Sequence, residues 1–264
     1  MAEYDIRQDE EFIATRESLK KLLMTVKGSE NPERIAEVKK EFKEILRTAN
    51  PLMIALAEQD LVKEGFRQED LVSACDIHLE LFRESLESGE IDVPDGHPIA
   101  RFQQDHRIIL SLMEELRERL KTAGRSENAG EIRSELERAG KLVELLLEAE
   151  NHNVRQENTL FPMLERHGIE QPPAIMWMEH TEMKEDKKKL RALLGDIAGR
   201  DPGPALGVME SIALRLVEKF ATHTQKEQNI LYRAALDVLS EEEWNDIREE
   251  CDNLGYFGDA IGAR

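Results

Sequence analysis

The sequence predicts an all-α protein: an up-down four-helix bundle preceded by a smaller helical domain. Three observations carry that reading. Apolar residues recur at helical spacing, as at Ile35, Val38, Phe42, Ile45 and Leu46. No stretch sustains the apolar/polar alternation of a half-buried strand, and no Asn-Gly or Asp-Gly turn joins two such stretches. Prolines stand where periodic segments begin and glycines where they stop, the usual asymmetry of helix ends.

Taken in order, helices are expected from about 8 to 27, from Pro32 to the Asn50-Pro51 pair, from 51 to 64 and from 69 to 88, with Gly28, Gly65 and Gly89 as stops. The segment "SGEIDVPDGHP", 88 to 98, mixes glycine, proline and acids and reads as a linker. Four long helices follow: Pro98 to about Lys121, about Ala129 to His167, Pro172 to about Leu194, and about Pro204 to Leu239. Short connections make neighbours antiparallel. "SEEEW" from Ser240, with Glu243 at the third helical position, has the pattern of a capping box and opens a short last helix. The expected organisation is 1–95, an N-terminal helical domain; 96–239, the bundle; and 240–264, a short helix and tail.

Composition narrows the partners. Lys plus Arg is 36 against 55 for Asp plus Glu, a net charge of −19. No cationic surplus remains to displace counterions from nucleic acid or to hold an anionic membrane, so neither is an expected partner. Cys75 and Cys251 form no disulfide framework, which suits a reducing compartment. The N-terminus has no signal-peptide pattern and no 18 apolar residues follow one another, so a cytoplasmic protein is expected. A homo-oligomer is compatible with all of this.

The chemistry lies in a repeat. "HNVRQENTLF", 152 to 161, and "HTQKEQNILY", 223 to 232, align without gaps, sharing His, a cation, Asn, Leu and an aromatic residue. The fifth and sixth positions are Gln-Glu in one copy and Glu-Gln in the other. His223 and Glu227 are four apart, about 40° from each other on an ideal helix, and share a face. His152 and Glu157 are five apart, about 140° from each other. Both can face inward only if the helix widens there, as in a π-bulge.

His106 and His180 lie inside the first and third bundle helices. Counted from the helix ends, His106, Glu157, His180 and Glu227 fall about 12 to 18 Å from the same end of an up-down bundle. Four histidines and two carboxylates thus meet at one level. That is a ligand set for iron, manganese or zinc, with no thiolate near. A single such histidine is more often a satisfied core residue; four on different helices, two of them in a repeat, favour a metal site.

The residues also resemble a known family. "DHR" with His106, "HxxxxEN" followed by "LFP", "EH" with His180 and "HxxxE" with His223 are similar to the hemerythrin-like, HHE cation-binding family over about 97 to 239. "EQDLVKEGF", "CDIHLELF" and "GHPI" resemble the uncharacterised helical domain that often precedes that bundle in bacterial and archaeal proteins. The resemblance implies a carboxylate- and oxo-bridged pair of non-haem irons, with zinc or manganese as substitutes, that binds oxygen or nitric oxide. It implies His106, His152, His180 and His223 as terminal ligands and Glu157 and Glu227 as bridges. The family's oxygen carriers have the two His–Glu spacings exchanged, and a further histidine where this chain has Lys184. Sensing of oxygen, nitric oxide or iron is therefore favoured over carriage.

Two other functions compete. A ferritin-like di-iron oxidase draws on Glu-x-x-His pairs, but Gln103, Ala149, Trp177 and Phe220 precede the histidines by three, and none is acidic. A metal-free acidic interaction module is the other. His97, about 13 Å along the helix from His106, is expected outside the site. Cys75 and His78 read as a core pair rather than a second site, and His167 as a residue at a helix C-terminus. "KEDKKKLR", 184 to 191, reads as a solvated face, and Met176, Trp177 and Met178 as core or pocket wall.

Overall fold

The computed structural model describes residues 10–28, 40–41, 45, 51–66, 90–196 and 202–257, and among them it contains helices and no strands. The helices expected at 32–50 and 69–88, with Cys75 and His78, lie outside the described residues or nearly so. The described chain forms two compact units that do not follow chain order. One comprises Met1–Glu90, Met163–Ile175 and Gln225–Leu239; the other comprises Ile91–Pro162, Met176–Thr224 and Ser240–Arg264.

In the first unit, helices Glu10–Gly28 and Pro51–Lys63 pack through Leu19, Ile54, Ala57 and Leu61. Arg16 Nε donates to Asp60 Oδ2 at 2.8 Å across that pair. Gln59 ties Pro51–Lys63 to the turn at Gly168: its Nε2 donates to the Gly168 carbonyl and its Oε1 accepts from the Glu170 amide, both at 3.0 Å. Gly168 has φ +76°, the left-handed conformation expected of a glycine after a helix.

The four bundle helices supply most of the second unit, and their stretches within Met163–Ile175 and Gln225–Leu239 belong to the first. Helix Pro98–Arg125 starts with Pro98 in its first turn and is capped by the His97 ring, whose Nδ1 accepts from the Ile99 amide at 3.2 Å. Ser126–Asn128 turn the chain, and Asn128 caps Ala129–Glu148 through the amides of Gly130 and Glu131. The second bundle helix continues as Glu150–Arg155, a π-helical turn Gln156–Leu160, and Phe161–Arg166. The third is Gln171–Asp196. The fourth is Gly203–Lys226, a π-helical turn Glu227–Leu231, and Tyr232–Val238. Ile109, Leu116, Leu142, Leu146, Met183, Leu190, Met209 and Leu216 belong to one apolar core fed by all four helices. The capping box at Ser240 and Glu243 is present and starts helix Glu241–Leu254.

Two expectations about the third helix are corrected. "KEDKKKLR" is not a uniformly solvated face: Asp186 and Lys187 are buried. Lys187 Nζ donates to Glu150 Oε1 at 2.6 Å, and Asp186 accepts from Arg215 Nε and Nη2 at 2.9 and 3.0 Å. Paired in this way, charge is tolerated inside where it would otherwise be expelled. Trp177 is 57 % exposed rather than core, whereas Met176 is buried.

Candidate metal centre

The repeat folds the same way twice. In both copies the histidine at the first position is fully buried. In both the π-helical turn begins at the fifth position, Gln156 in one and Glu227 in the other. Each turn closes with an i→i+5 hydrogen bond, from the Phe161 amide to the Gln156 carbonyl and from the Tyr232 amide to the Glu227 carbonyl. The fifth position is buried in both copies and the sixth, Glu157 or Gln228, is half-exposed in both. A π-helical turn is present, but it starts only at Gln156: Gln156, four residues after His152 through regular helix, is the buried one, and Glu157 is not brought inward beside it.

Four histidines gather inside the second unit. His106 and His152 meet edge to face with ring centroids 5.0 Å apart; His180 and His223 do so at 4.8 Å. The Nε2 atoms of His180 and His223 are 3.1 Å apart. Phe220 packs against His106 at 6.0 Å and against His223 at 6.3 Å, and Phe161 stacks on His180 at 5.9 Å. These rings wall the cluster, and all four histidines are buried.

Behind the imidazoles stand carboxylates. His152 Nδ1 is 3.3 Å from Asp105 Oδ2, His180 Nδ1 is 2.8 Å from Glu157 Oε1, and His223 Nδ1 is 2.8 Å from Glu179 Oε2. A carboxylate at Nδ1 fixes the tautomer with its proton there and leaves the Nε2 lone pair to bind a cation. In that state the Nε2 lone pairs of His180 and His223 point at one place, an arrangement that repels unless a cation lies between. Burial works against the Asp105 charge, but His152 and Arg155 outweigh it and hold the carboxyl below the usual carboxylate range.

Glu227 completes the set. It lies one turn beyond His223 on a helix that runs unbroken through both residues, so helix geometry places it on the histidine's face. The ligand atoms of His106, His152 and Glu227 lie within 4.8 Å of one another, and so do those of His180, His223 and Glu227. The two triads share Glu227. The Tyr232 hydroxyl donates to Glu227 Oε2 at 3.1 Å.

Of the six residues singled out in the sequence, His106, His152, His180, His223 and Glu227 thus converge, while Glu157 stands behind His180 with its side chain 25 % exposed. Reading the sequence alone missed Asp105, Glu179 and Gln156. The first two had a signal: each is the acid immediately before a bundle histidine, and each supports the histidine of another helix. His97, at its helix start, packs on Trp244 with ring centroids 4.5 Å apart, and burial lowers its pKa. Cys251 is buried, lies 3.6 Å from Thr159 Oγ1, and is pushed up by that burial, the state of an inert thiol rather than a ligand.

The residues present fit a metal: imidazole nitrogen and carboxylate oxygen, desolvated, with the imidazoles held at their outer nitrogens. No helix among the described residues is long and apolar enough to cross a membrane.

Comparison with known proteins agrees with the geometry. Residues 19–88 match a family of unknown function, DUF438. No curated protein matches the chain. The hemerythrin HHE cation binding domain matches residues 97–235, more than half of the 264-residue chain. The chain belongs to the hemerythrin HHE cation-binding family, and its bundle is a metal-binding domain.

Proposed function

We propose that the bundle holds two iron ions and that the protein senses oxygen, nitric oxide or iron in the cytoplasm. The observation that carries this reading is the pair of buried triads that share one carboxylate. His106 and His152 would hold one ion, His180 and His223 the other, and Glu227 would bridge them. Asp105, Glu157 and Glu179 keep the imidazoles turned inward. Glu157, the second carboxylate expected at the site, reaches a cation only by releasing His180. Bound iron would supply one-electron redox change and open positions for a diatomic ligand. Lys184, 45 % exposed on its side chain and 3.8 Å from Glu150 Oε2, supplies no imidazole where the carriers have one. That leaves more open positions and favours sensing or redox chemistry over carriage. The N-terminal unit is the natural element to report the state of the site.

The test is reconstitution with iron under nitrogen, followed by exposure to air. Near-ultraviolet charge-transfer absorption should appear and should bleach on reduction. Absorption that cannot be developed with iron, in a protein that takes up zinc readily, would rule out the redox reading.

A further inference from the structure

We propose that Tyr256 and Arg155 are positioning residues for His152, so that the turn after the C-terminal helix sets how firmly one metal ion is held. The inference rests on the reading of His152 as a ligand. At Gly255 φ is 76° and ψ is 176°, a conformation open essentially to glycine alone. That residue ends helix Glu241–Leu254 and sends the chain back over the bundle.

The two residues after it do different things. Phe257 is buried and joins the apolar core, so it anchors the turn. Tyr256 is only half-buried and is not part of that core. Its ring instead packs against two guanidinium groups, with Arg101 Cζ and Arg155 Cζ each 4.6 Å from the centroid. Burial, and then the Asp252 carboxylate that accepts from its hydroxyl at 2.5 Å, raise its pKa, so the ring stays neutral beside the two cations.

Both cations lead to Asp105. Arg155 is fully buried, donates through Nη2 to Asp105 Oδ2 and through Nε to Asn151 Oδ1 at 3.1 Å, and has Phe102 on another side at 5.6 Å. Arg101 Nε is 3.4 Å from Asp105 Oδ1, and its Nη2 donates to the Phe257 carbonyl at 2.8 Å. Asn151 in turn donates to the Leu254 carbonyl at 3.1 Å. The carboxylate that orients His152 is thus gripped by two arginines, and the aromatic face that desolvates them comes from the C-terminal turn. Removing that face admits water to the arginine–carboxylate pair and frees Asp105 to swing away from His152. Groups behind a metal-bound histidine typically change metal affinity by about 10- to 100-fold when lost.

The experiment uses the full chain with cobalt(II) as the probe, reading both its visible ligand-field spectrum and its rate of release to a chelator. Tyr256→Phe keeps the ring and should match the parent. Tyr256→Leu should release one of two cobalt ions about tenfold faster, with shifted ligand-field bands. In a His152→Asn background, Tyr256→Leu should add nothing, because the residue it acts through is gone. Parent-like behaviour of Tyr256→Leu, equal loss with Tyr256→Phe, or an undiminished effect in the His152→Asn background would each overturn the proposal. Should His152→Asn itself keep two cobalt ions and the parent spectrum, the ligand reading falls and the proposal with it. Loss of an ion there while Tyr256→Leu behaves as the parent would sink the proposal alone.

Discussion

Glu227→Gln should cost the protein its second metal ion, while Gln228→Ala leaves metal content nearly unchanged. The substitution keeps the shape of the side chain and removes one negative charge from the point shared by both triads. Two cations there repel each other, and only a buried anion between them offsets that repulsion. Tyr232 would still donate to the amide oxygen, so the local packing survives. Gln228, the next residue, is turned about 100° away and is half-exposed. Elemental analysis of both variants reads the contrast directly. Equal loss from the two would mean that the wrong face of the fourth helix has been assigned to the metals.

In the second helix the same positions should behave differently. Glu157→Gln should keep two ions per chain while loosening them by about 10- to 100-fold, the size expected when the partner behind a ligating histidine is weakened. A bridging role would predict instead the loss of an ion, as at Glu227. Gln156→Glu makes the complementary test. It puts a carboxylate at the buried position equivalent to Glu227 in the repeat, and should tighten metal binding while destabilising the metal-free chain, because a buried charge then lacks its cation. Competition with a chelator separates these outcomes: stoichiometry reads bridging, and affinity reads support.

Much of this architecture was legible in the sequence because helix ends carry their own chemistry. Pro98 in a first turn, Gly168 after a last one and the Ser240–Glu243 box each satisfy the exposed backbone groups of a helix terminus locally, without help from the rest of the fold. The histidines were legible for a related reason. A repeat of ten residues at similar depth in two helices fixes where imidazoles meet, whatever the packing detail. What stayed hidden depends on contacts between helices. On an ideal helix Gln156 lies about 40° and Glu157 about 140° from His152, and where a π-helical turn starts, here at Gln156, decides whether Glu157 can come inward. Asp105 and Glu179 read as ordinary helix acids until another helix brings His152 and His223 to them. The burial of Lys187 follows likewise from Glu150 on the neighbouring helix. Nor does chain order reveal that Met163–Ile175 and Gln225–Leu239 belong to the compact unit of the N-terminal helices.

If the bundle carries two metal ions at the five converging side chains, as proposed, its metal content will show it. The most direct measurement is metal content per chain in protein made under iron-replete conditions and purified without oxygen, beside a variant with His180 and His223 both changed to Asn. Close to two ions per chain in the parent, iron foremost, and no more than one in the variant are expected. No bound metal in the parent, or an unchanged count in the variant, would contradict the account.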